Sequence, residues 1–374
     1  MALALEAHPH ARSILGPALA ERRPSHAYLF HGPGGAGKRR IARLFAAELL
    51  AMGADDPGSA RARAIAGSHP DLTWVTPSGA HEILVSDIDS AVVAAATRTP
   101  FEAARRVFVI ESADLLGDAA ANRMLKTLEE PPDYVHIILV SDRLTDVLAT
   151  VRSRCQTVRF DGPSAAELTA ELTAAGLKPE LAQAAAALSL GDANLARELA
   201  SPDGVALRQA AERYITAALE GRSVQVAAWA ELLGAVRARG DAVITELEAA
   251  GAAELELVPR KEQARLRREW EERAKRVRRR HETATLALGL TLVETWLLDL
   301  AALGWGAVEL VRHRDRLGPA AGRPGPAAGQ APPAARLLEA VALVERTRQN
   351  LSVNVNEELA LEALALAMER VLVR

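Results

Sequence analysis

A lysine that closes a run of glycines is the first place in this chain where chemistry can be read. Residues 32–38 are Gly-Pro-Gly-Gly-Ala-Gly-Lys, set between a short apolar run and a helical pattern, the context in which such spacing is meaningful. Gly32, Gly34, Gly35 and Gly37 let backbone N–H groups turn toward a phosphate, and the positive end of the following helix adds attraction. Lys38 would reach the outer phosphates of a nucleotide. A working loop continues with Ser or Thr, whose hydroxyl ligates magnesium, but here the next residue is Arg39. A guanidinium has no oxygen to give a metal and brings a second cation. The loop therefore implies phosphate-binding descent and argues against hydrolysis.

The acidic partner of such a loop belongs at the tip of a neighbouring strand, where Val107–Ile110 runs into Glu111-Ser112. An active site of this kind presents Asp then Glu, one holding the magnesium shell and one polarising water. Glu111 is a methylene longer, and Ser112 is too weak a base near neutral pH to replace a carboxylate. Asp114, two residues on, is expected to cap the next helix. His8 and His10 stand two apart and share no helix face, and no other histidines show ligand spacing, so no metal centre is expected.

These residues need a sheet to hold them. Short apolar runs at Tyr28–His31, Leu72–Val75, Val107–Ile110, Ile137–Val140 and Thr157–Phe160 alternate with helical patterns, as in a parallel sheet covered on both faces. Ile41, Leu44, Phe45, Leu49 and Met52 recur at helical spacing after the glycines. Strand signals stop at Pro163, and Ser164-Ala-Ala-Glu167 reads as a capping box. The expected fold class is α/β followed by all-α: a sheet domain over 1–161, a small helical lid over 162–204 broken at Gly191-Asp192, and a helical domain over 205–374. A Pro- and Gly-rich loop interrupts the last region at 317–334. Between Pro259 and Glu282 there are 11 basic and 5 acidic residues, read as a solvated helix face.

With 374 residues the chain suits two or three domains of roughly 100 to 200 residues each. Hydrophobic residues make up 49% but aromatics only 3%, so Ala, Leu and Val must build the core, which favours helices. A formal charge of -3 argues against gripping nucleic acid through the overall field. DNA contact must be local or shared with partners. The single cysteine, Cys155, excludes a disulfide framework and a Cys-rich zinc module and points to a reducing compartment, the cytoplasm. Residues 1–10 lack the pattern of an export signal, and no uncharged apolar run of about 18 residues is seen, so neither export nor membrane crossing is expected.

Four strings occur in order: Ser25-His-Ala-Tyr-Leu-Phe-His-Gly-Pro-Gly34, His69-Pro-Asp71, Ala121-Asn-Arg-Met-Leu-Lys-Thr-Leu-Glu-Glu-Pro-Pro132 and Ser153-Arg-Cys155. Together they resemble the clamp-loader subunits of bacterial DNA polymerase III, a branch of the AAA+ family. Asn350–Asn356 and the Leu-rich run after it weakly resemble that family's C-terminal oligomerisation domain. The resemblance implies a P-loop AAA+ domain, a lid and a helical collar. It implies that Arg154 acts in trans at the ATP site of a neighbouring subunit, with Ser153, Arg154 and Cys155 at that interface. Family motors carry Thr after the loop lysine, an Asp-Glu pair, a sensor threonine matching Ser141 or Asp142, and a sensor arginine where this chain has Asn194, with Arg197 a turn further on. These departures favour the stationary delta-prime branch, which needs no cofactor of its own and leaves room for ATP or ADP held without hydrolysis at Gly32, Gly34, Gly35, Gly37, Lys38 and Arg39. A gamma- or tau-type motor is the alternative. The four-Cys zinc module of many members is missing between Lys38 and His69. Implied partners are the gamma/tau motors, the delta subunit, the sliding clamp and, through the assembly, primer–template DNA.

Overall fold

Alternation along each strand decides the first layer of structure. In β1 (Ala27–His31), Tyr28 and Phe30 point to one side while Ala27 and Leu29 point to the other, as the two-residue period of a strand requires. The same division separates Val107 and Val109 from Phe108 and Ile110 in β3 (Arg106–Ile110), and Ile138 and Val140 from Ile137 and Leu139 in β4 (Val135–Ser141). Both faces are apolar, so both must be covered. A computed structural model of the chain describes residues 5–77, 83–256, 260–317, 332–351 and 355–373. It contains one five-stranded sheet in the order β2-β3-β4-β1-β5, with β2 at Leu72–Val75 and β5 at Gln156–Arg159. Every pairing is parallel, with Leu29 opposite Leu139 and Thr157, and Phe108 opposite Thr73 and Ile137.

Helices α1 (Pro9–Ala20) and α2 (Lys38–Ala51) lie on the Tyr28 face, where Leu15, Ile41, Phe45 and Leu49 are buried. The helix Asp118–Glu129 covers the other face with Met124 and Leu128. Helix α1 was not apparent in the sequence; β5 begins one residue earlier than the apolar run, and β4 is longer than its run at both ends. The chain divides into two compact units, one of Met1–Pro163 with Gly191–Asn194 and one of Ser164–Leu190 with Leu195–Arg374.

The second unit is helical throughout its described residues. Ser164 and Glu167 form the expected capping box, each serving the other's backbone N–H. The long helices Pro202–Leu219, Ala228–Glu256, Arg260–Gly304 and Glu357–Leu372 pack together. Buried Tyr214 donates to Leu361 O at 2.5 Å. Arg208 Nη2 donates to both oxygens of Asp315 at 2.7 and 2.9 Å, a buried cation with its required partner. Trp270–Gly304 is long and apolar enough to cross a membrane by length and composition, but 67% of its apolar window is buried. Glu294 and Asp299 interrupt the uncharged run; they pair with Arg348 and His313. Leu290, Val293, Leu297 and Leu300 lie in the protein core, so this is a packed core helix.

On the basic stretch, Lys275, Arg278 and Arg279 are paired with Glu272, Asp241 and Glu357 at 2.8–2.9 Å. Of the Pro- and Gly-rich loop, residues 318–331 lie outside the described residues. Leu317 ends the short helix Arg314–Leu317, and Ala334 opens Ala334–Leu351. Residues 352–354 of the Asn350–Asn356 string also lie outside; Asn356 caps the last helix, accepting from Leu359 N at 3.0 Å.

Candidate functional site

The glycine loop joins β1 to α2 as the motif requires, and the sheet fixes its path. Gly32 has φ 143°, and a Cβ there would lie 2.1 Å from Phe160 O, so only glycine leaves β1 on this course. Gly37, at φ 79°, caps α2 from the left-handed region. Lys38 is the first helical residue, and its side chain is only 3% exposed. It curls back on its own loop: Nζ donates to Gly32 O and Pro33 O, both at 2.6 Å, and pairs with Asp142 Oδ1 at 2.8 Å. An ammonium has three donors, and these three acceptors use them all.

Arg39 does not extend over the loop. Its Nε lies 3.1 Å from Glu111 Oε2, while Trp74 Nε1 donates to Glu111 Oε1 at 2.7 Å. Arg43 stacks over the Trp74 ring at 4.1 Å and so fixes the indole that holds Glu111. The position of a magnesium-ligating hydroxyl and the position of an acidic strand tip have thus become an internal ion pair. Ser112 follows with φ 54° and ψ 50°, a left-handed backbone unusual for a residue with a Cβ.

Asp114 does not cap the next helix; Gly117 occupies that cap, because a short turn at Ala113–Leu115 intervenes. The Asp114 carboxylate instead accepts from Ser141 Oγ at 2.8 Å, and Ser141 Oγ accepts from Arg143 N at 3.0 Å. Of the two residues matching the sensor threonine, Ser141 is bound to Asp114 and Asp142 to Lys38. The turn Gly191–Asn194 belongs to the same unit as the loop. Asp192 Oδ2 accepts from Gly34 N at 3.2 Å, and Ala193 N donates to Gly34 O at 3.1 Å. In the second unit, Arg197 is held by Glu171, at 2.7 Å from Nη2.

Arg154 follows the short helix Ala149–Arg152, just before β5. Its Nε donates to Glu129 Oε1 at 2.9 Å, its Nη2 contacts the same oxygen, and Nη1 donates to Thr150 O at 2.9 Å and Ser153 Oγ at 3.3 Å. The arginine side chain is 32% exposed and Glu129 49%. The cation therefore sits at the surface in a defined pose, oriented by the first glutamate of the Leu-Glu-Glu-Pro-Pro string. Ser153 Oγ donates to Thr150 O at 3.2 Å. Cys155 packs half-buried against the sheet core, and burial pushes its thiol up to about 12, which suits an inert apolar contact.

The His69-Pro-Asp71 string builds the approach to β3. Fully buried Asp71 accepts from the N–H groups of Phe101, Glu102 and Ala103 at 2.6, 3.0 and 2.9 Å. Burial opposes its charge, but these three donors outweigh that and hold its carboxyl below the usual range. His69 Nδ1 accepts from Asp71 N at 3.1 Å, and Nε2 lies 3.2 Å from Glu102. Burial pushes the His69 imidazole down. The string clamps the 101–103 segment that feeds β3, the strand leading into Glu111. Among the described residues no group of three or more His, Cys, Asp and Glu side chains could hold a metal.

Sequence reasoning identified the loop and its altered partners and left Asp142 open. It missed Asp192 as a loop ligand, reading Gly191-Asp192 as a helix break and the stretch to Asn194 as a match to the sensor-arginine motif; an acid beside a glycine in the turn before a helix was the available signal.

Residues 7–164 match the family model described as DNA polymerase III, delta subunit. The chain is 35% identical over 165 residues to the DNA polymerase III subunit delta' of Pseudomonas aeruginosa, covering 43% of this chain and 50% of that one. It is 35% identical over 159 residues to the delta' subunit of Bacillus subtilis, covering 41% and 48%. It is 36% identical over 160 residues to the tau subunit of Bacillus subtilis, covering 41% and 27%. The chain thus spans about half the length of the delta' relatives it matches, and identity alone does not separate delta' from tau. Over residues 7–164, less than half of its length, the chain is thus similar to the delta' and tau subunits of DNA polymerase III.

Proposed function

We propose that this chain is the stationary subunit of a clamp loader, one that does not split ATP itself and lends Arg154 to the nucleotide site of an adjacent motor subunit. One observation carries the reading. The three loop groups that would serve a triphosphate, the Lys38 ammonium, the Arg39 guanidinium and the Gly34 N–H, are each matched to a carboxylate of the same chain: Asp142, Glu111 and Asp192. A magnesium nucleotide brings several negative charges and needs an oxygen ligand at position 39 and a base at position 112. This set offers a guanidinium, a hydroxyl on left-handed backbone and three competing acids. The residues do not fit that ligand, and no cofactor is required of this subunit.

Arg154 points to what remains. A guanidinium supplied across a subunit boundary neutralises charge building on a transferred phosphoryl group, an effect of about 10³ to 10⁵ in rate. A subunit can lose its own chemistry and still contribute this one. The partners proposed are gamma/tau motors and a delta subunit, acting in the cytoplasm on a sliding clamp and primer–template DNA.

The test has two arms. The purified chain alone should release no phosphate from ATP. The Arg154→Ala chain, mixed with motor and delta subunits, should lose clamp-stimulated turnover by about 10³-fold or more, and full turnover with that variant rejects the trans role. The tau similarity sustains a second reading, a motor subunit with altered motifs. It predicts turnover by the chain alone that Lys38→Ala abolishes.

A further inference from the structure

We propose that Asp192 is a resident anion of the phosphate loop: its carboxylate takes the Gly34 N–H that an entering phosphate would need, so the loop admits nucleotide only when that charge is removed. This goes beyond the trans role of Arg154 and does not depend on it.

The contact is built into both sides. Asp192 Oδ2 accepts from Gly34 N at 3.2 Å, and Ala193 N returns a hydrogen bond to Gly34 O at 3.1 Å, although the two segments are 158 residues apart in sequence. The fit depends on missing side chains. A Cβ at Gly34 would fall 2.4 Å from Asp192 Oδ2, and one at Gly35 would fall 2.7 Å from Ala193 Cβ. At the root of the turn, a Cβ at Gly162 would lie 2.3 Å from Gly191 O. Three glycines therefore give the turn a seat directly on the loop. In phosphate loops the backbone N–H groups form an anion-binding concavity. A carboxylate oxygen is an anion of similar hydrogen-bonding character, and here it is tethered.

The charge pattern agrees. After Asp142 on Lys38 and Glu111 on Arg39, Asp192 is the third carboxylate brought to the loop. A phosphate must displace that carboxylate or sit beside it, and both options cost affinity. The plainer role for an acid before the helix Ala193–Ala200 is a helix cap. Asparagine caps equally well, so an Asp192→Asn variant removes the charge and keeps the cap.

The experiment titrates ATP, with and without magnesium, into the full chain as wild type, Asp192→Asn and Asp192→Ala. Calorimetry and amide hydrogen exchange of the segment 32–38 are read together. Asp192→Asn should bind ATP at least about tenfold more tightly than wild type, equivalent to about 1.4 kcal/mol, with ATP-dependent protection of that segment. Lys38→Ala added to Asp192→Asn should abolish the gain, which places it in the loop. Equal affinity in wild type and both variants, whether all bind or none does, overturns the inference. No partner subunit is present, so this result is separate from the fate of the Arg154 reading.

Discussion

Arg39 Nε lies 3.1 Å from Glu111 Oε2, so two positions that would share a magnesium ion in an ATPase instead satisfy each other directly. Either change alone would leave a misfit: a second cation beside Lys38, or a carboxylate without a metal. Together they close. Arg39 is 62% exposed, which limits the pair to the range of surface bridges, about 0–1 kcal/mol. Glu111→Gln should therefore lower stability by no more than about 1 kcal/mol in urea melts, and it should change Trp74 fluorescence because the indole N–H loses its charged acceptor. A Trp74 signal unchanged in Glu111→Gln would contradict the assignment.

Lys38 is predicted to matter for folding where a working loop lysine matters for turnover. Its ammonium is buried against Gly32 O, Pro33 O and Asp142. Lys38→Ala leaves two loop carbonyls without a donor, at about 1–3 kcal/mol for an unsatisfied buried group. Lys38→Ala should lower the denaturation midpoint clearly, while phosphate release from ATP stays at the blank. A variant as stable as wild type would show that the curled pose contributes nothing.

The contrast between these residues shows what the sequence could tell. Tyr28, Leu29 and Phe30 could be assigned to a central strand because a sheet buried on both faces demands unbroken apolar runs. The glycine loop was legible because its spacing is local. Pairings across the fold were not. That Asp142 meets Lys38 depends on β4 lying beside β1, and that Asp192 meets Gly34 depends on a turn returning to the loop. Asp114 was misread for the related reason that capping is a local rule, whereas Ser141 reaches it from β4, a strand remote in sequence. Apolar periodicity records which face is buried and carries no information about which polar group waits there.

Stability should fall as the pH drops from about 7 to 5. Burial lowers the pKa values of His8, His31, His69 and His136 from 6.5. A histidine with a depressed folded pKa binds protons more readily when unfolded, so protonation below 6.5 favours unfolding and the native state loses stability down to each folded pKa. His136 is the most informative: its Nδ1 lies 2.9 Å from Ser25 O, beside β1. Urea midpoints at pH 7.5, 6 and 5 should decline in wild type and decline less in His136→Gln. Equal slopes would exclude His136 as a contributor.

Asp71 works in the opposite sense and a lower window. Its carboxyl is held below 3.8 in the folded chain by three backbone N–H donors, so its contribution is fully present above the unfolded pKa and is lost as pH falls through the folded one. Asp71→Asn should be less stable than wild type at pH 7, by about 1–3 kcal/mol for hydrogen bonds to a charged group. The gap should narrow in acid melts below pH 4. A gap that stays constant there would mean that the charge is not what the three amides recognise.

On the trans role proposed for Arg154, Glu129 should tune that cation. Two guanidinium nitrogens of Arg154 meet one Glu129 oxygen, while Nη1 rests on Thr150 O, so the carboxylate fixes the pose without enclosing the charge. The pair is half exposed and worth about 0.2–1 kcal/mol. A phosphoryl group carrying more charge can therefore draw the guanidinium away at small cost. Glu129→Ala leaves the cation present but unoriented. Assembled with motor and delta subunits, it should lower clamp-stimulated kcat by up to about fivefold, the rate equivalent of about 1 kcal/mol, with KM for ATP unchanged. Glu129→Asp should recover part of the loss, and Glu129→Ala combined with Arg154→Ala should be no worse than Arg154→Ala alone. Additive losses in the double variant would show that Glu129 acts through something other than Arg154.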